Sequence, residues 1–313
     1  MVLLGLLHAV VRVTSRVLVA HVAGPVALHL RLACGNLMLA GAAGVLIAID
    51  KVADVLPGNA LSNVYAHAHL AAVGWASMMV VGVGYRLLPM VLPSAMPHGR
   101  LLYASAVLLE IGLAGLVVTL VTGWPGLPFF ACTVAAGLAV FLSRVVWMTT
   151  HRRTPAAGVA RPDVGALQAG HALLYLLLTT GCGLILATSG ASAWTSRLMM
   201  FYGVFGLLGF LGQLVVAMEL RVLPLLAWYA AFTRGGFTPP AMSTHALPAP
   251  RVAAVACGGW VVGLPILAAG LALDRVPWVG AGAWVLLVAA GLNTAHAVWM
   301  LRPVWGSRVT PDR

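Results

Sequence analysis

The run Tyr65-Ala66-His67-Ala68-His69 carries the most chemically specific pattern in this chain. Neutral imidazole is a favoured ligand for copper and for haem iron. Neighbouring residues of an α-helix turn by about 100°, so residues two apart point about 200° from each other. His67 and His69 therefore do not chelate one ion as an i, i+4 pair would. On a helix they present two imidazoles to two neighbouring spaces, which suits axial ligation of one haem, or two cofactors on opposite sides. Tyr65 and Trp75 are the candidates to pack against or support such ligands.

Few other residues can do chemistry. Glu110 lies within an apolar stretch, where it is expected to pair with an inward-facing His or Arg, to form a neutral interhelical hydrogen bond, or to serve a proton relay. Asn36, His171 and His296 are expected to join it in a polar cluster or relay, with His29 nearby in the chain. His171 and Tyr175 stand one helical turn apart and can face one neighbour. Glu219, two residues before Arg221, is expected to form an ion pair at a loop junction. Cys34, Cys132, Cys182 and Cys257 fall in apolar stretches without C-x-x-C spacing and read as small buried hydrophobes. No C-x-x-C-H occurs, which excludes a covalently attached c-type haem, and no nucleotide-binding glycine motif is present. Gly203, Gly206, Gly209 and Gly212 recur every three residues, as a helix-packing face does.

The elements that must position these residues follow from composition. Of 313 residues, 61% are hydrophobic and only 8% charged, and the mean hydropathy is +1.00. A soluble chain has about 25% charged residues, so this one cannot build a water-facing surface. About 20 apolar residues cross a bilayer as helix. Eight stretches qualify, near 27–49, 64–87, 101–122, 127–148, 166–188, 197–222, 252–273 and 278–300. Residues 1–24 differ: His8, Arg12, Ser15 and Arg16 share one face of an expected amphipathic helix lying in the interface. With the N-terminus inside, fifteen of the eighteen Lys and Arg residues fall on the cytoplasmic side, and only Lys51, Arg197 and Arg275 outside. Basic loops face the cytoplasm, so both termini are expected there. The net charge of +11 is then mainly topological, and the partner it implies is the lipid bilayer, not nucleic acid. His67 and His69 come to lie near the outer end of the second span, where they could also simply reach back to water.

The chain also resembles itself. Gly74-Trp75 and Arg86-Leu87-Leu88-Pro89 align with Gly209-Phe210 and Arg221-Val222-Leu223-Pro224 at an offset of 135, and Val146-Trp147-Met148 with Val298-Trp299-Met300 at 152. An even number of spans per copy makes the copies parallel. The expectation is an all-α polytopic transmembrane helix bundle of about eight spans in two parallel four-helix repeats. Its parts are an interfacial helix at 1–24, a first repeat at 25–150, a basic linker at 151–165, a second repeat at 166–304 and a tail at 305–313. The repeat alignment places His171 on Asn36.

The segment from Tyr65-Ala66-His67-Ala68-His69-Leu70 through Gly74-Trp75 to Arg86-Leu87-Leu88-Pro89-Met90 resembles the second-helix signature of proteins related to haem–copper oxidase subunit I. It is most similar to the non-oxidase branch that includes the NnrS family of nitric-oxide-response membrane proteins. The resemblance implies four-helix repeats, haem and copper ligands on the second helix of a repeat, and a place in respiratory or nitric-oxide-linked metabolism in a bacterial inner membrane. It makes His67 or His69 the ligand of a haem b or of copper, with other membrane subunits or a second copy as partners. The chain departs from the pattern: the oxidases have three repeats, and Tyr202 and Val204 stand where the first repeat has His67 and His69. No three-histidine copper site can be assembled on the outer side. Two other classes stay open. One is a non-redox assembly or scaffold subunit; the other is a transporter, with a cavity lined by Glu110 and Asn36 and helix breaks in corresponding spans.

Overall fold

The structure, a computed structural model, describes residues 5, 8, 10–12, 15, 24–154, 163–240 and 243–306, the last four of them as backbone only. Most of the helix expected over 1–24, most of the linker at 151–165 and most of the tail at 305–313 lie outside these residues. The described residues form helices and no sheet; one isolated antiparallel bridge joins Ser94 to Arg152. Eight of the helices are long and apolar enough to cross a membrane, so this is a multi-pass membrane protein. They are α1 (Gly24–Ala53), α2 (Ala60–Val91), α3 (Leu101–Thr122), α4 (Leu127–Thr150), α5 (Val164–Thr188), α6 (Ala193–Arg234), α7 (Pro250–Ala272) and α8 (Val276–Gly306).

Local chemistry sets their ends. The Asn59 side chain accepts the Ser62 N–H at 2.8 Å and starts α2. Ser192 and Thr195 form a reciprocal capping box at the start of α6. Gly123, with φ of 70°, adopts the left-handed conformation that ends α3 and turns the chain toward α4. Two ends differ from expectation. α2 and α6 do not stop near 87 and 222 but run through Pro89 to Val91 and through Pro224 to Arg234. A proline removes a single helical hydrogen bond, and membrane helices tolerate it where neighbours satisfy the freed groups.

Both of these helices also contain a π segment. Leu70–Ser77 in α2 and Phe205–Gly212 in α6 each span 8 residues and lie 135 positions apart at both ends. The bonds that define them run from residue i to i−5: the Met78 N–H reaches the Val73 carbonyl, and the Gln213 N–H reaches that of Leu208. In the first segment the Ser77 hydroxyl also donates to the Ala72 carbonyl at 2.8 Å. π segments inside α-helices are rare and concentrate at functional sites.

The chain divides into two compact units. The first comprises Met1–Pro89, Ser94–Arg152 and Thr180–Gly190, and the second Met90–Pro93, Arg153–Thr179 and Ala191–Arg313. The end of α5, from Thr180 on, thus belongs to the first unit. In the first unit α3 and α4 meet through glycines. A Cβ on Gly112 would lie 2.6 Å from the Val134 nitrogen, and one on Gly137 2.8 Å from Leu109 Cγ. In the second unit α7 and α8 do the same, with a Gly259 Cβ 2.8 Å from that of Ala289 and a Gly282 Cβ 2.5 Å from the Leu267 nitrogen. Lipid gives helices no hydrophobic reason to associate, so such close backbone approach supplies the packing energy. Met78, Leu88, Leu109 and Phe141 fill the first core, and Leu176, Phe210, Leu264 and Met300 the second.

Candidate functional site

His67 and His69 lie on α2 just before its π segment, and each ring is held by a backbone carbonyl. His67 Nδ1 donates across to the Ala40 carbonyl of α1 at 3.0 Å, and His69 Nδ1 donates to the Tyr65 carbonyl of its own helix at 2.7 Å. A carbonyl only accepts, so Nδ1 carries the proton in each neutral ring and Nε2 carries the lone pair. That is the orientation histidine ligands adopt when a backbone carbonyl fixes the non-ligating nitrogen. Gly44 makes room for the His67 ring: a Cβ there would lie 3.2 Å from its Cε1. Both rings are half-buried and diverge as helical geometry requires. Tyr65 contributes through its carbonyl. Trp75 is 38% exposed on the outside of the helix.

Deeper in the first unit, the structure brings together Asn36 of α1 and Glu110 of α3. One Asn36 Nδ2 hydrogen reaches Glu110 Oε2 at 2.9 Å and the other the Gly74 carbonyl at 3.2 Å. Gly74 sits inside the π segment, where a Cβ would come within 2.9 Å of Asn36 Cβ and Cγ. One amide thus ties the carboxylate to the irregular backbone. The partner of Glu110 is this amide of another helix, so of the readings expected for it the interhelical hydrogen bond is the one found, and not a His or Arg.

A third polar group was not legible as a unit. His29 Nδ1 donates to the Pro25 carbonyl at 2.7 Å and its Nε2 lies 3.0 Å from Ser105 Oγ; that oxygen accepts from the Tyr85 hydroxyl at 2.9 Å and donates to the Leu102 carbonyl at 2.9 Å. The chain Tyr85–Ser105–His29 is buried, with all three residues at most 2% exposed. Gly82 lets α1 approach, since a Cβ there would lie 2.5 Å from His29 Cβ. Only His29 stood out in the sequence; a serine and a tyrosine on two other helices carry no signal alone.

The second unit holds the remaining candidates apart. His171 Nδ1 donates to the Leu167 carbonyl of its own helix at 2.9 Å, and buried His296 accepts the Ala249 N–H on Nε2 at 2.8 Å, capping the start of α7. Of the expected cluster of Glu110, Asn36, His171 and His296, Asn36 and Glu110 meet in the first unit, while in the second His171 bonds within its own helix and His296 bonds the chain entering α7. Tyr175 faces Gly209 and Phe205. The Glu219–Arg221 pair is also corrected, because Arg221 pairs with Asp163 on the segment entering α5. Residues two apart on a helix diverge, so Glu219 cannot reach the guanidinium as Asp163 does. Cys34 and Cys257 are buried as expected, but Cys132 is exposed and Cys182 half-buried. Of the glycine stripe, Gly206 faces Thr179, Gly209 Tyr175 and Gly212 Trp260, whereas Gly203 has open space. Gln213 and Gln168 are almost fully buried, and the Gln213 amide has no hydrogen-bond partner on either atom among the described residues.

Among the described residues no three His, Cys, Asp or Glu side chains converge to hold a metal ion. The donor set at His67 and His69 fits a planar group that takes one imidazole from a side; it does not fit an ion chelated by this pair. Compared with models of protein families, with curated proteins and with solved structures, the chain matches none.

Proposed function

We propose that this protein is a haem-carrying member of the haem–copper oxidase-like lineage in a bacterial inner membrane, serving respiratory or nitric-oxide-linked metabolism. The observation that supports this reading is the pair His67 and His69 on one helix, each with Nδ1 tied to a backbone carbonyl. Haem suits these donors better than copper, which needs imidazoles that converge. Bound there, haem would supply electron-transfer or gas-binding chemistry, and His67 or His69 would hold it through an imidazole whose tautomer the carbonyl bond fixes. The test is aerobic purification of the full chain, an optical spectrum and elemental analysis for iron and copper. A Soret band lost in one of His67→Ala and His69→Ala but kept in the other supports the reading and names the ligand. Neither a Soret band nor copper, with a well-folded protein, overturns it in favour of a scaffold subunit.

A second reading, transport, is favoured by one observation: the π segments fall in corresponding helices, and the first is bonded to Asn36 and through it to Glu110. Irregular backbone whose carbonyls leave the α ladder is how many transporters build a cation site, and Glu110 is half-buried beside it. Sodium- or proton-dependent uptake into proteoliposomes, lost in Glu110→Gln, separates this reading from the first.

A further inference from the structure

Each unit has a cleft at the end that the arginines assign to the cytoplasm, and the two are built alike. In the second unit a cleft of about 270 Å³ is lined by Asp163, Leu220, Arg221 and His245, among others. In the first unit a cleft of about 430 Å³ is lined by Tyr85, Arg86, His98, Arg100 and Tyr103, among others. Arg86 and Arg221 occupy the same register of α2 and α6, 135 positions apart, and each cleft takes one histidine from the segment before the unit's third helix.

The clefts differ in charge. In the second, the Asp163 carboxylate neutralises Arg221. The residue 135 positions before Asp163 is Leu28, so the first unit lacks that carboxylate. Among the described residues neither Arg86 nor Arg100 has an ion-pair partner. Residues 1–152 contain only three acids, Asp50, Asp54 and Glu110, and none lines the cleft. The chain itself thus shows that an oxyanion fits against the arginine at this register, and in one copy it supplies none.

We propose that the first cleft binds a phosphate group through Arg86 and Arg100. Guanidinium recognises phosphate oxygens through paired charge-assisted hydrogen bonds. Basic pockets between membrane helices on the cytoplasmic side are where anionic headgroups dock, and Tyr103 beside the arginines offers a ring for the glycerol and upper acyl region. The site is independent of any cofactor at His67 or His69.

The test titrates short-chain phosphatidylglycerol, phosphatidylcholine and inorganic phosphate onto the full-length protein in a non-ionic detergent, with binding read by calorimetry. Phosphatidylglycerol is expected to bind, and Arg86→Gln with Arg100→Gln to weaken it by about tenfold or more. Arg86→Lys should recover part of the loss, and all variants should elute as the wild type does. Comparable binding of inorganic phosphate would assign the site to a free phosphate; its failure to bind assigns it to a lipid. Asp163→Asn is expected to create a second binding event at Arg221. Equal binding of phosphatidylcholine, an unchanged affinity in the double variant, or no added event in Asp163→Asn overturns the proposal.

Discussion

His67 and His69 show how far single residues can be read from a sequence and where that reading stops. Their divergence follows from helical geometry alone, and the structure adds the carbonyl that fixes each ring. Asn36 and Glu110 could each be singled out as costly polar residues in a membrane, but their pairing spans 74 positions and needed the packing of α1 on α3. Their coupling is measurable: in a double-mutant cycle of Asn36→Leu and Glu110→Gln, the interaction should come to about 0.6–1.7 kcal/mol, the range found between membrane helices. Thermal unfolding in detergent would give it. Arg221 illustrates the opposite error, in which nearness in sequence suggested Glu219 and geometry chose Asp163. Asp163→Asn should accordingly lower the unfolding midpoint by an amount equivalent to about 1 kcal/mol, and Glu219→Gln should leave it nearly unchanged. Gln213 is a third case. Met78 holds its place in the first unit and is fully buried, so Gln213→Met should stabilise the protein by about 1–3 kcal/mol, the penalty of an unpaired buried amide. A lower midpoint in that variant would mean the amide is engaged.

Among the elements, the eight spans were legible because hydropathy and the bilayer thickness leave little freedom, and their observed ends fall within a few residues of those expected except at the prolines. The π segments were not legible. Leu70–Ser77 and Phe205–Gly212 read as ordinary apolar helix, and only the shared offset of Gly74 and Gly209 marks the place. A π turn carries a surplus residue, so everything before it is rotated relative to an uninterrupted helix. Deleting Ala72 should remove the surplus residue and restore α periodicity while His67 and His69 keep their direction relative to Tyr85. The expected result is a folded protein that keeps the proposed haem spectrum; loss of that spectrum would mean that the π turn itself shapes the site. The glycine contacts set a firmer limit. Gly112→Val places side-chain atoms against the Val134 backbone, which cannot retreat, and should separate α3 from α4. A sharp drop in the yield of monodisperse protein would register it.

For the molecule as a whole, charge was the informative quantity. An inside N-terminus and an even number of spans would put fifteen of the eighteen Lys and Arg residues, and both termini, on the cytoplasmic side, as the bias of basic loops favours. Green fluorescent protein fused to either end should fluoresce, and alkaline phosphatase fused at either end should be inactive but active within residues 54–59. Fluorescence from a fusion at one end together with phosphatase activity from a fusion at the other would require an odd number of spans. The same charge distribution explains why the first unit's cleft could not be foreseen: an excess of inner arginines is expected in any such protein, and only the Asp163–Arg221 pair in the other copy shows that one of them lacks a counter-ion.

The paired π segments also separate what the two halves share from what they do not. Each carries its surplus residue at the same register, 135 positions apart. The histidines are not shared, since Tyr202 and Val204 stand in their places in the later half. Nor is the use of the irregular turn: in the first, Asn36 takes the Gly74 carbonyl, whereas in the second Gly209 lies against the Tyr175 ring. One backbone irregularity thus seats an amide in one half and an aromatic ring in the other.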